Sequence, residues 1–299
     1  TDDDIAPTQH LSHAQTEDIV MVNYTSGSTG RPKGTVYHES AYDAMVARLA
    51  TLYDGLDRVA TGAFAQTAFI AHVLESMAVL SLGGTVHLLS DSIREDLSLL
   101  EDYYSKQQLN VGWIPTRLMH IFHGDSRYLR RMIGGGERMV NVCFKEYDVL
   151  NVLGQTEAMP ILSVSVDKHY ANTPVGKPLP GVEVCLLDDE GHEADEGEIC
   201  AIGDFPCRYL GRPEESAEHF VRLPDGRVMV HTGDMGRRQE DGNIVYLNRK
   251  DWMVKINGQR VELGEVEDVM RRLHLESPVV KAFDKESGQV MLVGYYVAD

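Results

Sequence analysis

Apolar residues recur along the first half of the chain in two alternating patterns, one typical of helices and the other of short strands. Apolar positions three and four residues apart predict a helix at 40–53. Short apolar runs, each followed by polar residues or glycine, predict strands at 86–89, 132–133 and 149–153. Strands that alternate with helices in this way are typical of α/β layers, which is the fold class we predict.

After residue 172 the pattern changes to short strands separated by turns. Strands are predicted at 182–187, 198–202, 228–231 and 244–247, which indicates a β-rich subdomain. The acidic segment 188–198 between the first two is predicted to be a solvated loop. From Val254 onward, a predicted helix at 263–273 and a predicted strand at 289–297 indicate the start of a small α+β subdomain.

Composition excludes some classes of function. The 299 residues carry a formal net charge of −18, which disfavours binding to nucleic acid or to an anionic membrane. No apolar stretch is long enough to span a bilayer, and the acidic start Thr1–Asp4 is unlike a signal peptide. Four scattered cysteines lack metal-site spacing and are predicted to be reduced, mostly buried thiols. We therefore predict a cytoplasmic protein with no nucleic-acid or membrane partner.

The segment 24–34, YTSGSTGRPKG, carries the most specific chemistry in the sequence. Its glycines let backbone N–H groups approach an oxyanion, its hydroxyl groups add donors, and Arg31 and Lys33 add positive charge. It is not a Walker loop, because Pro32 rather than glycine precedes the lysine. These residue types together predict a phosphate-binding loop. The loop is a short basic segment in an otherwise acidic chain.

The same segment resembles the phosphate loop of acyl-adenylate-forming enzymes, which include nonribosomal peptide synthetase adenylation domains, acyl- and aryl-CoA ligases and luciferases. Further segments resemble the family's later motifs and follow in the same order, at 151–157, 174–181, 231–237, 241–251 and 255–267. The chain is therefore identified as a member of this superfamily, and it is most similar to the adenylation domains of peptide synthetases.

The resemblance implies a reaction in which a carboxylate attacks ATP, pyrophosphate leaves and an acyl-adenylate forms. The implied catalytic residues are Lys33, Thr156, Glu157, Arg249 and Lys255. Implied nucleotide-binding residues are Thr25, Ser26, Gly27, Ser28, Thr29, Gly30, Gly135, Gly136, Asn151, Asp234 and Tyr246. Glu157 is the implied ligand of Mg²⁺, and Asp234 the implied acceptor of the ribose hydroxyls. The sequence departs from the family at Leu153, where a tyrosine is common, and at Arg208-Tyr209, which lacks an intervening glycine.

The segment 69–75 resembles the one in which amino-acid-activating members carry an aspartate that pairs with the substrate's α-ammonium. Ile70 falls at that position, and burial of an ammonium against isoleucine would cost several kcal/mol. The implied substrate pocket is apolar and consists of Phe69, Ile70, Ala71, Leu74, Gly112, Met132, Gly134, Val152, Pro160 and Ile161. It resembles the pocket of α-keto-acid-selecting domains in depsipeptide synthetases, and it suits a medium branched aliphatic chain.

The resemblance also implies a domain organisation. Residues 1–249 are expected to be part of an incomplete large adenylation lobe, and 250–299 part of a small C-terminal subdomain, with a hinge near Asp251. The family's earlier N-terminal segment and its late catalytic lysine have no match here. One hypothesis that joins this observation to Ile70 is a tailoring domain, such as a ketoreductase, inserted after residue 299.

Three functions stay open at this point. The first is an adenylation domain that uses ATP and Mg²⁺ to activate a small carboxylic acid, with an aliphatic α-keto acid as the expected substrate. It passes the acyl group to a phosphopantetheinyl carrier domain. The second is a stand-alone acyl- or aryl-CoA ligase. The third is a catalytically incomplete fragment that binds nucleotide or serves as a scaffold.

Overall fold

The computed structural model describes residues 15–25, 32–206, 208–250, 253–256, 259–284 and 290–297. Its first element is an antiparallel hairpin of strands β1 (Ile19–Thr25) and β2 (Lys33–His38), in which Thr25 pairs with Lys33. Helix α1 (Glu39–Thr51) follows directly, and its buried residues recur at helical spacing. The helix predicted at 40–53 is confirmed.

A seven-stranded sheet with connecting helices carries the next part of the chain. Its elements are β3 (Ala60–Ala63), α2 (Ile70–Ser81), β4 (Thr85–Leu88), α3 (Asp91–Glu95), α4 (Leu97–Lys106), β5 (Val111–Trp113), β6 (Arg131–Gly135), β7 (Asp148–Gln155), β8 (Ala158–Ser165) and β9 (Lys177–Pro178). The strand order is β4-β3-β5-β6-β7-β8-β9, and the first five strands in this order are parallel, whereas β8 and β9 run antiparallel to their neighbours. The predicted α/β layers are confirmed.

Both faces of this sheet are covered. Met132 and Ile133 are consecutive residues of β6, so their side chains point to opposite faces, and both are fully buried. Ile133 belongs to the first hydrophobic cluster, with Met45, Leu49, Leu74 and Val152. Met132 belongs to the second hydrophobic cluster, with Leu100, Tyr104, Met119 and Phe122. Burial on both faces explains why the central strands β5 and β6 do not alternate between apolar and polar residues, whereas the edge strand β4 is largely exposed.

The β-rich subdomain is a five-stranded antiparallel sheet. Its elements are β10 (Glu183–Leu187), β11 (Glu196–Gly203), α5 (Pro213–His219), β12 (Phe220–Arg222), β13 (Val228–Arg238) and β14 (Ile244–Arg249). Strand β13 pairs with β11 on one side and with β12 and β14 on the other. A third hydrophobic cluster combines Leu153, Ala158 and Ile161 of the first sheet with Ile199 and Val230 of the second, so it joins the two sheets at the β7–β8 hairpin.

Three sequence predictions need correction. The acidic segment 188–198 is not loop throughout, because β11 begins at Glu196 and pairs with β10 and β13. The strand predicted at 228–231 continues to Arg238, through polar residues that pair across the sheet. Of the three described cysteines only Cys200 is buried, whereas Cys143 and Cys185 are half-buried; all three are free thiols.

The remaining elements follow in the order β15 (Met253–Ile256), β16 (Gln259–Glu262), α6 (Leu263–Arg272), β17 (Glu276–Asp284) and β18 (Val290–Val297). The predicted helix and final strand are confirmed by α6 and β18, whereas β17 had no counterpart in the sequence analysis. Asp251 lies outside the described residues, so the hinge and the division at 249 stay predictions. Among the helices of the described ranges, none combines the length and apolar character needed to cross a membrane.

The first hydrophobic cluster should dominate the stability of the α2 side of the sheet. Leu74 is 1% exposed in this cluster, whereas Leu80, on the same helix, is 52% exposed. We expect Leu74→Ala to lower the free energy of unfolding by about 2–5 kcal/mol, because it removes buried methyl groups and leaves a cavity. Leu80→Ala should change it by less than about 0.5 kcal/mol. Urea unfolding followed by circular dichroism measures both, and equal midpoints for the two variants would contradict this packing.

Candidate functional site

The β1–β2 hairpin holds both ends of the predicted phosphate loop. Thr25 and Lys33, which flank the loop, are cross-strand partners. The loop residues Ser26, Gly27, Ser28, Thr29 and Gly30 lie outside the described residues. Lys33 is 9% exposed, and its ammonium group lies 3.1 Å from Oε2 of Glu215 and 5.3 Å from the centre of the Tyr209 ring. The lysine that the sequence places at a phosphate site is therefore held in a fixed position by an acid and an aromatic face.

Thr156 and Glu157 form the two-residue turn between β7 and β8, because Gln155 and Ala158 on either side are paired. The side chain of Glu157 is fully buried. Its Oε1 accepts hydrogen bonds from the Tyr209 hydroxyl at 2.9 Å and from Thr25 Oγ1 at 3.5 Å. The Tyr37 hydroxyl donates to the carbonyl oxygen of Thr156 at 2.5 Å, which anchors the turn to β2. These contacts bring three distant segments together at one carboxylate.

Tyr209 is a site residue to which the sequence analysis gave no role. Tyr209 and Thr35 form an antiparallel β-bridge. On either side of it, the backbone N–H groups of Val36 and Leu210 donate hydrogen bonds that join the same two segments. The segment 208–210 therefore lies along the free edge of β2 and places the Tyr209 ring between Lys33 and Glu157. In the sequence, only the imperfect match at Arg208-Tyr209 drew attention to this residue. The contact of Tyr209 with Glu157 could not be predicted, because the fold creates it.

Asp234 and Arg249 form a buried ion pair on the second sheet. They are cross-strand partners of β13 and β14, and Arg249 donates from Nη1 to Asp234 Oδ1 at 2.8 Å. Their side chains are 2% and 5% exposed, so each charge helps to compensate the other in a buried place. Gly233 precedes the aspartate with a φ of +70°, a conformation that favours glycine.

The other predicted nucleotide residues lie on strands of both sheets, except Gly136, which directly follows β6. Asn151 donates from Nδ2 to the Pro174 carbonyl at 2.8 Å, which ties β7 to the chain that leads into β9. A side chain at Gly135 would place its Cβ 2.2 Å from the Val152 carbonyl oxygen, so only glycine fits there. Gly136 has a φ of +81°. The guanidinium carbon of Arg138 lies 5.9 Å from the centre of the Tyr246 ring.

The predicted acid-pocket residues fall into more than one cluster. Leu74 and Val152 lie in the first cluster, and Ile70 packs against it. Met132 lies in the second cluster and Ile161 in the third. Gly112 pairs with Met132, and a Cβ at Gly134 would meet Met119, so these two glycines face the second cluster. Pro160 is buried, Ala71 is half-buried and Phe69 is 38% exposed. A lining made of all ten residues stays a prediction.

A cavity of about 520 Å³ lies at the amino-terminal ends of the parallel strands, where β6 begins at Arg131 and β7 at Asp148. Ligands of open α/β sheets bind at the carboxyl ends of the parallel strands, and Thr156 and Glu157 follow the carboxyl end of β7. The cavity is therefore separate from the candidate site.

Lys255, the remaining predicted catalytic residue, lies on β15, and the structure describes its backbone but not its side chain.

The matches to known proteins agree with this geometry. A profile of the family described as AMP-binding enzyme matches residues 2–208, which is more than half of the chain. The chain belongs to the AMP-binding enzyme family. Bacitracin synthase 1 of Bacillus licheniformis is 32% identical over 262 residues, and tyrocidine synthase 1 of Brevibacillus parabrevis is 31% identical over 297 residues. These alignments cover 85% and 94% of this AMP-binding enzyme chain, but only 5% and 27% of the two synthases.

Solved structures show the same fold. Holo-PA1221, an NRPS protein containing adenylation and PCP domains, matches with a TM-score of 0.82 and 24% identity over 98% of this chain and 55% of its own. The Vibrio cholerae adenylation domain AlmE, in complex with glycyl-adenosine-5'-phosphate, matches with a TM-score of 0.82 and 22% identity over 94% of this chain and 58% of its own. The chain thus has the fold of part of an adenylation domain.

Glu75 is a buried acidic residue for which the sequence predicted no role. It lies on α2, and its Oε2 accepts a hydrogen bond from the backbone N–H of Ala65 at 2.9 Å. Burial raises the pKa of Glu75 from 4.5 to about 8, against the lowering effect of the Ala65 and Phe64 backbone hydrogen bonds. At neutral pH the side chain is therefore mainly the uncharged acid.

This pKa predicts a pH dependence of stability. Between about pH 4.5 and about pH 8, folded Glu75 holds a proton that the unfolded chain has released, so the free energy of unfolding falls as the pH rises. The Glu75 contribution should fall by up to about 1.4 kcal/mol per pH unit in this window and level off above it. Glu75→Gln should remove that slope, whereas Glu95→Gln, at an exposed site, should keep it. Urea unfolding across the pH window measures this, and identical pH profiles for wild type and Glu75→Gln would contradict it.

Proposed function

We propose that this chain is the ATP-binding part of an adenylation domain that activates a carboxylic acid. A carboxylate oxygen of the acid attacks the α-phosphorus of ATP, the bond from that phosphorus to the bridging oxygen breaks, and pyrophosphate leaves. The thiol of a phosphopantetheinyl carrier domain then attacks the acyl carbon, the bond from that carbon to the phosphate oxygen breaks, and AMP leaves as the thioester forms. The observation that carries the proposal is the convergence of Thr25, Tyr209 and the Thr156-Glu157 turn beside Lys33.

Lys33 supplies positive charge where the triphosphate would lie. Its ammonium is held by Glu215 and Tyr209, so it needs little reorganisation as charge develops on the leaving pyrophosphate. The loop residues Ser26 to Gly30 are proposed to add hydroxyl and backbone donors, and Thr25 is proposed to hold the start of this nucleotide-binding loop against Glu157. Thr156 is proposed to contact the α-phosphate, because it shares the turn with Glu157.

The donor set around Glu157 fits Mg²⁺. The atoms gathered there are carboxylate and hydroxyl oxygens, which hard divalent cations prefer over nitrogen or sulfur. When bound, Mg²⁺ would neutralise phosphate charge. Tyr209 and Thr25 fix the orientation of the carboxylate through Oε1, so Glu157 is the residue that we propose as its ligand.

Asp234 is proposed to accept hydrogen bonds from the two ribose hydroxyls. A carboxylate can accept about four hydrogen bonds, and Arg249 donates one of them to Asp234 Oδ1. Arg249 also balances the charge of Asp234, and acceptor positions remain for the ribose. Tyr246 is proposed to contact the adenine. Asn151, Gly135 and Gly136 are proposed to shape the backbone next to the nucleotide, and Lys255 to act from the C-terminal subdomain.

The substrate that we propose is an aliphatic α-keto acid. Ile70 is the first residue of α2 and packs against the first cluster, so it offers no charge to a substrate ammonium. Glu75, the only acid of α2, is buried, bound to the Ala65 N–H and mainly uncharged at neutral pH. Nothing on this helix therefore compensates an α-ammonium group. A depsipeptide product, a cytoplasmic location and a tailoring domain beyond residue 299 stay predictions.

Pyrophosphate exchange tests the proposal in the native polypeptide that contains this chain, with keto, hydroxy, aryl, fatty and amino acids compared. We expect exchange with branched aliphatic α-keto acids, and a loss of about 10²–10³-fold in Lys33→Ala, because a preorganised charge on the phosphates is removed. Lys106→Ala, an exposed lysine paired with Asp102, should keep full exchange. Ile70→Asp should move the preference toward an α-amino acid.

The other outcomes would each contradict one part of the proposal. Strong wild-type exchange with an α-amino acid would overturn the keto-acid assignment. Acyl transfer to free coenzyme A but not to a carrier domain would indicate a CoA ligase instead. Nucleotide binding without exchange for every acid would indicate a non-catalytic role.

A further inference from the structure

Three side chains of different chemistry form a cluster on one face of the second sheet. Cys200 of β11 and His231 of β13 are direct cross-strand partners, so their side chains lie on the same face. Glu198 lies two residues before Cys200 on the same strand, and the pairing of β11 with β13 is irregular between them. The sheet therefore brings a thiol, an imidazole and a carboxylate together.

Two of the distances within this cluster match those between the ligands of a tetrahedral zinc ion. Cys200 Sγ lies 3.5 Å from His231 Nδ1, and His231 Nδ1 lies 3.4 Å from Glu198 Oε2. All three donor atoms lie within 4.8 Å of one another. Zinc bond lengths of about 2.3 Å to sulfur and about 2.0–2.2 Å to nitrogen and oxygen give ligand separations of about 3.4–3.6 Å at tetrahedral angles. The two distances that involve His231 Nδ1 therefore already suit a single ion, and the 4.8 Å limit brings Cys200 Sγ and Glu198 Oε2 within reach of the same ion.

The surroundings hold the donors in place and leave a path to them. Cys200 is fully buried, whereas the side chains of Glu198 and His231 are 12% and 29% exposed. The backbone N–H of Gly233 donates to Glu198 Oε1 at 2.9 Å, which leaves Oε2 directed at His231. Carboxylates that bind metals are typically oriented in this way, by a hydrogen bond to the oxygen that does not bind the metal.

We propose that Glu198, Cys200 and His231 form a binding site for a zinc-type divalent metal ion, with water in the fourth position. Thiolate and imidazole ligands select zinc-like ions over Mg²⁺, so this site is chemically distinct from the one at Glu157. Cys185 is the cross-strand partner of Cys200 on its other side, and its thiol contacts both the Cys200 carbonyl oxygen, at 3.9 Å, and the Cys200 thiol. It is not among the three side chains whose donor atoms all lie within 4.8 Å of one another. We therefore assign Cys185 no ligand role.

Metal titration of the reduced chain tests this site directly. We expect one Zn²⁺ per chain in competition with a chromophoric chelator, and binding of Co²⁺ should give the visible and thiolate charge-transfer absorption of a tetrahedral site with sulfur. Cys200→Ser should abolish the thiolate absorption, and His231→Ala should weaken Zn²⁺ binding by about 100-fold or more, because each removes a ligand. His231 is part-exposed, so its variant tests the site without emptying the core.

Two cysteine controls sharpen the result. Cys143→Ser, in a half-buried thiol that packs against the second cluster, should leave both metal signals unchanged. Cys185→Ser should keep one equivalent of Zn²⁺ with an affinity within about tenfold of wild type. The proposal is overturned if the wild-type chain binds no stoichiometric Zn²⁺, if His231→Ala binds as tightly as wild type, or if Cys185→Ser loses the metal as completely as Cys200→Ser.

Discussion

The buried carboxylate of Glu157 is the interaction on which the arrangement of the candidate site depends. A buried acid without partners would cost several kcal/mol, and here hydrogen bonds from Tyr209 and Thr25 offset that cost. Each donor comes from a different segment of the chain. The same contacts that stabilise the carboxylate therefore hold the hairpin of the phosphate loop and the segment 208–210 against the β7–β8 turn.

The hydrophobic core explains why this turn lies where two sheets meet. The third cluster packs residues of β7 and β8, on both sides of the turn, against the antiparallel sheet whose strands β13 and β14 carry Asp234 and Arg249. That ion pair is also buried, and loss of Arg249 would remove the charge that compensates the buried Asp234 carboxylate. The apolar packing thus fixes the sheets, and the buried polar pairs fix the orientation of the groups that we propose to bind nucleotide.

Much of this could be predicted from the sequence, because its signals are local. The helical spacing in α1 and the apolar runs of β6 and β7 predict their elements correctly, and the order of the motifs indicates the family. Contacts made by the fold could not be predicted. Tyr209 reaches Glu157 only because its segment lies along β2, and Glu75 becomes a neutral acid only because α2 buries it. The continuation of β13 through polar residues depends on pairing with β14, which no short pattern reveals.

Amide hydrogen exchange with and without Mg²⁺ and ATP tests most directly whether the nucleotide binds where the two sheets meet. The account predicts that ATP slows exchange together in the backbone of 33–35, of the 155–158 turn and of 232–235, because all three segments would border one ligand. Asp234→Asn should weaken this protection in all three at once. Protection confined to one of these segments, or found only around the cavity at Arg131 and Asp148, would contradict a single nucleotide site organised around Glu157.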